Sequence, residues 1–360
     1  MGLFSSKKSQ QSYLGLDLGM SGIKLVELLN EKGRARLVTY AYADYPDMKT
    51  EMNYTEKRHE TGELIKRMVA QAKTTTKRVI AALPISSVFS SIISVPAEND
   101  KELKDAVEWQ AKKLIPMPLE EISLDSKTLD SESEPGEKGK KEKVTRVLLT
   151  GAPKGLVKRY VEILTTAGLE PLALETEAFA QIRSLVGRDR STVMVIDIGA
   201  FRTNLTVVER GIPFLSRSIA TGGSAITTTI SKTIGIPFEQ AETMKRDIKA
   251  MQAFAPTGDL SPILETLLKP VIDEIKYSFN LYQGQRGNGG APKRIDKIIV
   301  TGGTSLLPRL PEFLTDLMNV NAYRGDPWAR VVYPEDLRPV LDEIGSRMAV
   351  AVGCAMRDIE

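Results

Sequence analysis

The sequence predicts an α/β protein with two lobes of similar plan, because one short pattern occurs twice. Near the start of the chain an apolar run leads into Asp17-Leu18-Gly19, a polar turn follows, and a second β-rich run leaves the turn. The same design recurs at Asp197-Ile198-Gly199, within MVIDIGAFRTNLTVVE. In both halves these hairpins are followed by segments with apolar residues at helical spacing. We therefore expect two equivalent hairpins, each part of a sheet with packed helices.

Length and composition predict about two domains and give no reason to expect a nucleic-acid partner, an internal disulfide, a His/Cys metal site or a membrane-spanning helix. A chain of 360 residues with 42% hydrophobic residues is long enough for about two domains. The net charge of +3 gives no reason to expect a nucleic-acid partner. The single cysteine, Cys354, rules out an internal disulfide, and the single histidine, His59, lies among charged residues, so no His/Cys metal site is predicted. No apolar run approaches the roughly 18 residues of a membrane-spanning helix.

The first half of the chain predicts a meander, a helix and a strand after a flexible tail at residues 1–12. The hairpin at residues 13–28 continues through a turn into a third strand at residues 34–45. Residues 55–73 carry apolar side chains at helical spacing, and residues 79–84 form a buried strand. Residues 86–174 then predict an inserted subdomain of three strands and two helices. Within it, residues 130–143 have almost no apolar side chain and predict a disordered loop.

The second half repeats this plan after a connecting helix at residues 175–186. The second hairpin is followed by another strand and by Thr221-Gly222-Gly223, which opens a helix. Residues 260–285 predict one long helix, and residues 297–313 predict a strand, a glycine turn and a helix. The last helix, residues 345–356, is small and apolar on most faces, and Gly353 would allow it to approach a neighbour closely.

The two hairpin turns predict a nucleotide clamp. Gly19 and Gly199 can adopt positive φ angles and lack Cβ, so backbone N–H groups in each turn can approach an anion closely. Asp17 and Asp197 would repel phosphate directly, but they suit a hydrated divalent cation that phosphate oxygens also bind. A single Asp-x-Gly is more often a plain hairpin. A third glycine turn, Gly302-Gly303-Thr304 between a strand and a helix, favours the nucleotide and suits a base or sugar. Neither the P-loop nor the Rossmann fingerprint is present.

These three motifs in this order resemble the actin-like ATPase superfamily, which includes actin, the Hsp70 chaperones, sugar kinases, FtsA and MreB. Within it the sequence is most similar to the PilM family of type IV pilus assembly proteins. The resemblance implies an actin-like (ribonuclease H-like) two-lobed fold with an inserted subdomain of FtsA/PilM type, called 1C. It divides the chain into subdomains 1A (residues 13–85, 175–190 and 345–360), 1C (86–174), 2A (191–224 and 294–344) and 2B (225–293).

The resemblance also implies a site for ATP and Mg2+ between the lobes. Asp17 and Asp197 would hold the cation through water, and Glu177 would orient the attacking water. Three alternatives stay open: Glu177 as a helix-start carboxylate, Lys24 as a solvated strand residue, and Glu242 with Lys245 as a surface ion pair. The nucleotide-contacting residues implied are, for phosphates, Gly19, Ser21, Lys24, Gly199, Thr203, Asn204, Gly222 and Gly223; for ribose, Glu242 and Lys245; and for adenosine, Gly302, Gly303 and Thr304.

For function, the resemblance implies a cytoplasmic scaffold that is at most a slow ATPase. It would bind the cytoplasmic N-terminal segment of the inner-membrane protein PilN in a groove involving subdomains 1A and 1C. Other expected partners are the PilO complex, the motor ATPases and further copies of the chain in a ring or filament. No FtsA-like membrane-targeting helix is expected after the last helix, so membrane association would depend on partners. A filament-forming ATPase, a small-molecule kinase and a chaperone ATPase are the alternatives.

Overall fold

The computed structural model describes residues 11–45, 49–96, 99–135, 141–253, 259–285 and 292–359. Within these ranges the strands form three sheets, of six, five and three strands. Most of the predicted N-terminal tail lies outside the described residues, and Ser12 already belongs to the first strand.

The first lobe begins with the predicted meander. Strands β1 (Ser12–Gly19), β2 (Gly22–Glu31) and β3 (Arg34–Asp44) pair antiparallel in sequence. After α1 (Arg58–Ala72), β4 (Arg78–Leu83) lies parallel to β1. The apolar residues of β1 and β2 are buried on both faces, which explains why their runs are nearly continuous in hydrophobicity.

The inserted subdomain is a three-stranded antiparallel sheet with a helix on one face. Its elements are β5 (Phe89–Pro96), α2 (Asp100–Leu114), β6 (Ile122–Pro135) and β7 (Lys141–Pro153), with β7 in the centre. The prediction of a disordered loop at residues 130–143 is wrong for the residues described, because β6 and β7 stay paired to Pro135 and Lys141. Hydrogen bonds between the two strands satisfy the backbone of this hairpin without apolar side chains, so its polar composition wrongly predicts disorder. Residues 136–140 lie outside the described residues.

The insertion ends earlier than predicted. Helix α3 (Lys154–Thr166) packs against α1, and β8 (Glu170–Thr176) lies parallel to β4 at the edge of the six-stranded sheet. The strand over these residues was therefore predicted correctly but assigned to the wrong sheet, since its pairing with β4 is a contact between distant parts of the chain. The connecting helix follows as α4 (Glu177–Gln181) and continues as a π-helical turn, Ile182–Val186.

The second lobe repeats the meander in a five-stranded sheet. Its strands are β9 (Val193–Ile198), β10 (Thr203–Glu209), β11 (Ile212–Ile219), β12 (Lys297–Thr301) and β13 (Ala322–Arg324). Its helices are α5 (Gly223–Ile234), α6 (Phe238–Arg246), α7 (Ile248–Gln252), α8 (Ser261–Leu267), α9 (Lys269–Gln283) and α10 (Leu310–Met318). The single helix predicted at residues 260–285 is two helices, because Pro270 in the first turn of α9 cannot donate to a preceding turn.

The chain then returns to the first lobe. Strand β14 (Val331–Val332) pairs with β3, and α11 (Arg338–Met356) packs on β1 and β2. The predicted boundary at residue 344 is therefore too late. Two glycines permit this packing: a Cβ on Gly15 would overlap the carbonyl oxygen of Ala351, and a Cβ on Gly353 would overlap that of Ala180. The second contact joins the two connecting helices, α4 and α11, behind the cleft.

Candidate functional site

The turns of the two meanders line one cleft between the lobes. Asp17 and Gly19, at the end of β1, face Asp197 and Gly199, at and just after the end of β9, across a cavity of about 120 Å³. The structure thus brings together the two acidic corners that the sequence places about 180 residues apart. An adjoining cavity of about 450 Å³ lies between α6, the Gly303 turn and α11.

On the first-lobe side, Lys24 is a buried cation paired with Asp17. Its Nζ lies 3.2 Å from the Asp17 carboxylate and 3.3 Å from the carbonyl oxygen of Gly22, to which it donates. The residue is only 8% exposed, so the interpretation of Lys24 as a solvated strand residue is wrong. A Cβ on Gly19 would lie 2.5 Å from this Nζ and 2.9 Å from the carbonyl oxygen of Gly22, so glycine leaves room for the lysine at this turn.

Glu177 links the two lobes at the floor of the cleft. The backbone N–H of Ile85 and the side-chain amide of Asn204 both donate to Oε2 of Glu177, each at 3.1 Å. One helical turn later, Gln181 donates to Oδ2 of Asp197 at 2.6 Å. Helix α4 therefore presents two polar side chains, four residues apart, to the second-lobe side of the cleft.

Two carboxyls of the cleft are held in surroundings that disfavour their ionised form. Burial, reinforced by the charges of Asp17 and Asp197, raises the pKa of Glu177 to about 8. Burial and the charge of Asp17 likewise raise the pKa of Asp197 to about 6. Both shifts mean that ionising these carboxyls costs free energy in the protein alone. A cation would remove that cost. Among the described residues no three carboxylates lie close enough to bind a metal ion directly.

The second hairpin turn is held by the start of α5. The backbone N–H of Gly199 donates to the carbonyl of Arg202, and the N–H groups of Gly223 and Ser224 donate to the carbonyls of Gly199 and Ala200, both at 2.8 Å. The contribution of Gly222 to a phosphate site stays a prediction. The N–H groups of Gly223 and Ser224 are bonded within the protein and are not directed at the cleft, contrary to the expectation for Gly223. Their role is to fix the turn, and a Cβ on Gly222 would lie 2.6 Å from the Gly199 carbonyl oxygen.

The predicted residues of β10 separate into one that reaches the cleft and one that does not. Asn204 lines the cavity, and its buried Oδ1 has no hydrogen-bond partner among the described residues. Thr203 is fully buried, and its hydroxyl donates to the carbonyl of Thr221 at 2.7 Å. The expectation that Thr203 contacts phosphate is therefore not met by this arrangement, because alternate residues of a strand point to opposite faces.

The third glycine turn lies between the two cavities. Gly302 has φ +83°, and a Cβ there would overlap the carboxylate of Asp197, so the turn requires glycine. Its N–H donates to the carbonyl of Ser346 in α11 at 2.9 Å. Gly303 lines both cavities, and Thr304, which lines the second, donates through its hydroxyl to the Gly199 carbonyl at 3.2 Å.

Glu242 and Lys245 form a buried pair at the wall of the second cavity. Their charged atoms are 2.6 Å apart, and Lys245 also donates to the Thr227 hydroxyl at 2.8 Å and to the Gly223 carbonyl at 3.2 Å. Lys245 is 5% exposed, so the pair is not the exposed surface ion pair considered as the alternative. Both side chains line the cavity, where a sugar hydroxyl could reach them.

Several lining residues were not predicted. Gln181 follows Glu177 by four residues on the same helix, and this spacing could have indicated it. The others have no local signal, because the fold brings them to the cleft from separate elements. The additional polar lining residues of the first cavity are Tyr54, Ser86, Gln181, Thr301, Arg202, Ser346 and Arg347.

Comparison with known proteins identifies the family. From residue 15 to residue 359 the sequence matches the family described as "Type IV pilus assembly protein PilM". This chain belongs to the PilM family. A solved PilM–PilN type IV pilus biogenesis complex contains a chain that is 27% identical, with a TM-score of 0.78 over 97% of this chain and 98% of that one. The actin-like two-lobed α/β fold predicted from the motifs is thereby confirmed.

Two further relatives extend the comparison. The cell division protein FtsA of Neisseria meningitidis serogroup B is 26% identical over 204 residues, which are 51% of this chain and 48% of that protein. The chain thus spans about half the length of this curated relative. The ethanolamine utilization protein EutJ of Carboxydothermus hydrogenoformans shares the fold, with 18% identity and a TM-score of 0.51 over 96% of this chain and 89% of that one.

Proposed function

We propose that this PilM-family protein is a nucleotide-binding scaffold of the type IV pilus machinery. It binds ATP with Mg2+ between its lobes and the cytoplasmic N-terminal segment of PilN in a groove beside the insertion. The observation that carries the nucleotide proposal is that Asp17 and Asp197, from equivalent hairpins, line one cleft. The PilN proposal rests on family membership and on similarity, over nearly the whole chain, to the PilM–PilN complex.

The cleft is chemically suited to a hydrated cation with a phosphate chain. Burial raises the pKa values of Glu177 and Asp197 and the charge of Asp17 adds to both shifts, so Mg2+ nearby would favour their ionised forms. Asp17 and Asp197 would hold the ion through water, since no direct three-carboxylate site exists among the described residues. Lys24 and the turn at Gly19 would meet phosphate oxygens, and the nucleoside would occupy the cavity beside Glu242 and Lys245.

Glu177 makes slow hydrolysis conditional on the cation. With a pKa of about 8, this carboxyl holds a proton at neutral pH in the protein alone and cannot accept another. With Mg2+ held by Asp17 and Asp197, Glu177 would ionise more readily and its carboxylate would orient water. Hydrolysis, where it occurs, should therefore need the divalent ion for more than phosphate binding.

The groove proposed for PilN lies between the insertion and the first lobe. Two edge strands line it: β6 contributes Ser123 and Asp125, and β8 contributes the run from Pro171 to Thr176. Edge strands offer unpaired backbone groups to an extended segment. The apolar side chains Val161 and Leu172 are 37% and 42% exposed beside it, and they suit a segment with apolar side chains of its own.

A titration with a peptide of the PilN N-terminal segment tests this proposal. We expect saturable binding to the wild-type chain and none to a scrambled peptide of equal composition. Leu172→Glu should weaken binding by at least about tenfold, because it places a charge in an apolar contact. Leu281→Glu is the matched control, since Leu281 is 38% exposed on α9 in the other lobe. Absence of saturable binding by the wild-type chain would remove the scaffold proposal.

A filament-forming ATPase is the second candidate, and the similarity to FtsA favours it. Sedimentation of the chain with and without ATP and Mg2+ distinguishes the two: polymer that pellets only with nucleotide supports the filament. Transfer of phosphate to a small metabolite would instead indicate a kinase.

No helix in the described part of the chain is both long and apolar enough to cross a membrane. We propose a cytoplasmic protein held at the inner membrane by PilN, with the PilO complex and the motor ATPases as further partners.

A further inference from the structure

Arg347 stands at the point where the two cavities meet. Four residues line both cavities: Ser21, Ala200, Gly303 and Arg347. Arg347 is the charged member of this set. In a nucleotide that fills both cavities, the junction is where the phosphate chain joins the ribose, so a cation there has a defined chemical partner.

The side chain of Arg347 is held at this junction by residues of the meander. Its guanidinium lies over the ring of Tyr42, 5.2 Å from the centroid, and forms an ion pair with Asp44 at the end of β3. The side chain is 23% exposed, against 40% for that of Asp44. Stacking on an aromatic ring leaves the edges of a guanidinium available for planar, two-point contact with an oxyanion.

The two lysines that line the cavities are more deeply buried in their ion pairs than Arg347 is. Lys24 is buried against Asp17, and Lys245 is buried against Glu242. The side chain of Asp44, in contrast, is 40% exposed, so water can solvate its carboxylate when Arg347 leaves, and separating the pair costs little free energy. A phosphate group presents more negative charge and two oxygens in the geometry that guanidinium matches, and it should displace the aspartate.

We propose that Arg347 is a phosphate-binding residue and that Asp44 holds it in place until the nucleotide arrives. This inference rests on the proposed nucleotide function and adds to it a residue from the second connecting helix, outside the glycine turns. It makes a distinctive prediction: the two partners of one ion pair should affect affinity in opposite directions. Arg347 assists phosphate binding, whereas Asp44 competes with it.

The experiment is a calorimetric titration of Mg2+-ATP, ADP and adenosine into wild type, Arg347→Gln, Asp44→Asn and the double variant. Arg347→Gln should weaken ATP and ADP by about tenfold or more and leave adenosine nearly unchanged. Asp44→Asn should tighten ATP by a few-fold, and this gain should disappear in the double variant. Arg338→Gln is the matched control, because Arg338 lies at the exposed start of the same helix.

Three results would overturn the inference. If both single variants weaken ATP alike, the ion pair only ties β3 to α11. If Arg347→Gln weakens adenosine as much as ATP, the side chain contacts the nucleoside and not the phosphate. If wild type binds ATP and Arg347→Gln binds it equally well, this inference fails while the proposed nucleotide function stands. A wild-type chain that binds no nucleotide would remove both.

Discussion

Replacing Glu177 with glutamine should stabilise the protein in the absence of ligands. In the folded chain the pKa of this carboxyl is raised from 4.5 to about 8, chiefly by burial and then by the charges of Asp17 and Asp197. The folded state therefore binds a proton more tightly than the unfolded state does. The free energy of unfolding must therefore fall as pH rises from about 4.5 towards about 8. Glutamine does not titrate, so it removes this dependence.

The size of the effect follows from the same shift. At pH 7 the full pKa shift of Glu177 would lower the free energy of unfolding of wild type by about 3 kcal/mol. Because solvent partly reaches this site, we halve that figure to about 1.5 kcal/mol. Glutamine keeps an oxygen that can accept from Ile85 and Asn204, so few hydrogen bonds are lost. We expect Glu177→Gln to be more stable by that amount near pH 7 and to match wild type at about pH 4.5 and below.

Urea unfolding of both proteins at intervals between about pH 4.5 and pH 8.5 measures the difference directly. Asp197 contributes a dependence of the same sign at lower pH in both proteins, because its pKa is raised to about 6. Glu343→Gln, on the exposed face of α11, is the control and should show no such trend. Added Mg2+ should raise the melting temperature of wild type more than that of Glu177→Gln. If Glu177→Gln is the less stable protein at pH 8, the account of a buried carboxyl that resists ionisation is wrong.

Two further predictions concern the fold. Gly353→Ala should lower the free energy of unfolding by about 2–3 kcal/mol, because its Cβ would overlap the carbonyl of Ala180. Thermal unfolding measures this loss. The control is Gly155→Ala in α3, which should be as stable as wild type because its new Cβ meets nothing closer than 3.7 Å. In hydrogen exchange, amides of the β6–β7 ladder up to Pro135 should exchange about tenfold or more slowly than those of an unstructured peptide of the same sequence. Exchange as fast as in the peptide would instead support the disordered loop that composition predicts at residues 130–143.

The sequence predicted the elements of this fold that depend on residues close together in the chain. The Asp-x-Gly hairpins at Asp17 and Asp197 are short-range structures, and their apolar flanks identify the strands without any knowledge of neighbours. The close approach at Gly353 followed from the small residues around it. The insertion was also recognisable, since its elements are contiguous.

Several of the misassignments involve contacts between distant segments. The strand Glu170–Thr176 was visible, but nothing near it says that it pairs with β4 in the first lobe. Gly223 at the start of α5 suggested a free N–H group, whereas this group donates to the carbonyl of Gly199. Arg347 gave no signal at all, because its importance depends on two cavities that exist only after folding.

The measurement that tests the central claim most directly is a calorimetric titration of ATP into wild type and Asp17→Ala, each with Mg2+ and with a chelator. If the two acidic corners hold the cation of a nucleotide, wild type binds ATP saturably and more weakly once Mg2+ is removed. Asp17→Ala should then lose at least about tenfold in affinity with Mg2+ present. Asp273→Ala, on the exposed face of α9, should bind as wild type does. Equal ATP affinity in Asp17→Ala and wild type would contradict the assignment of the site.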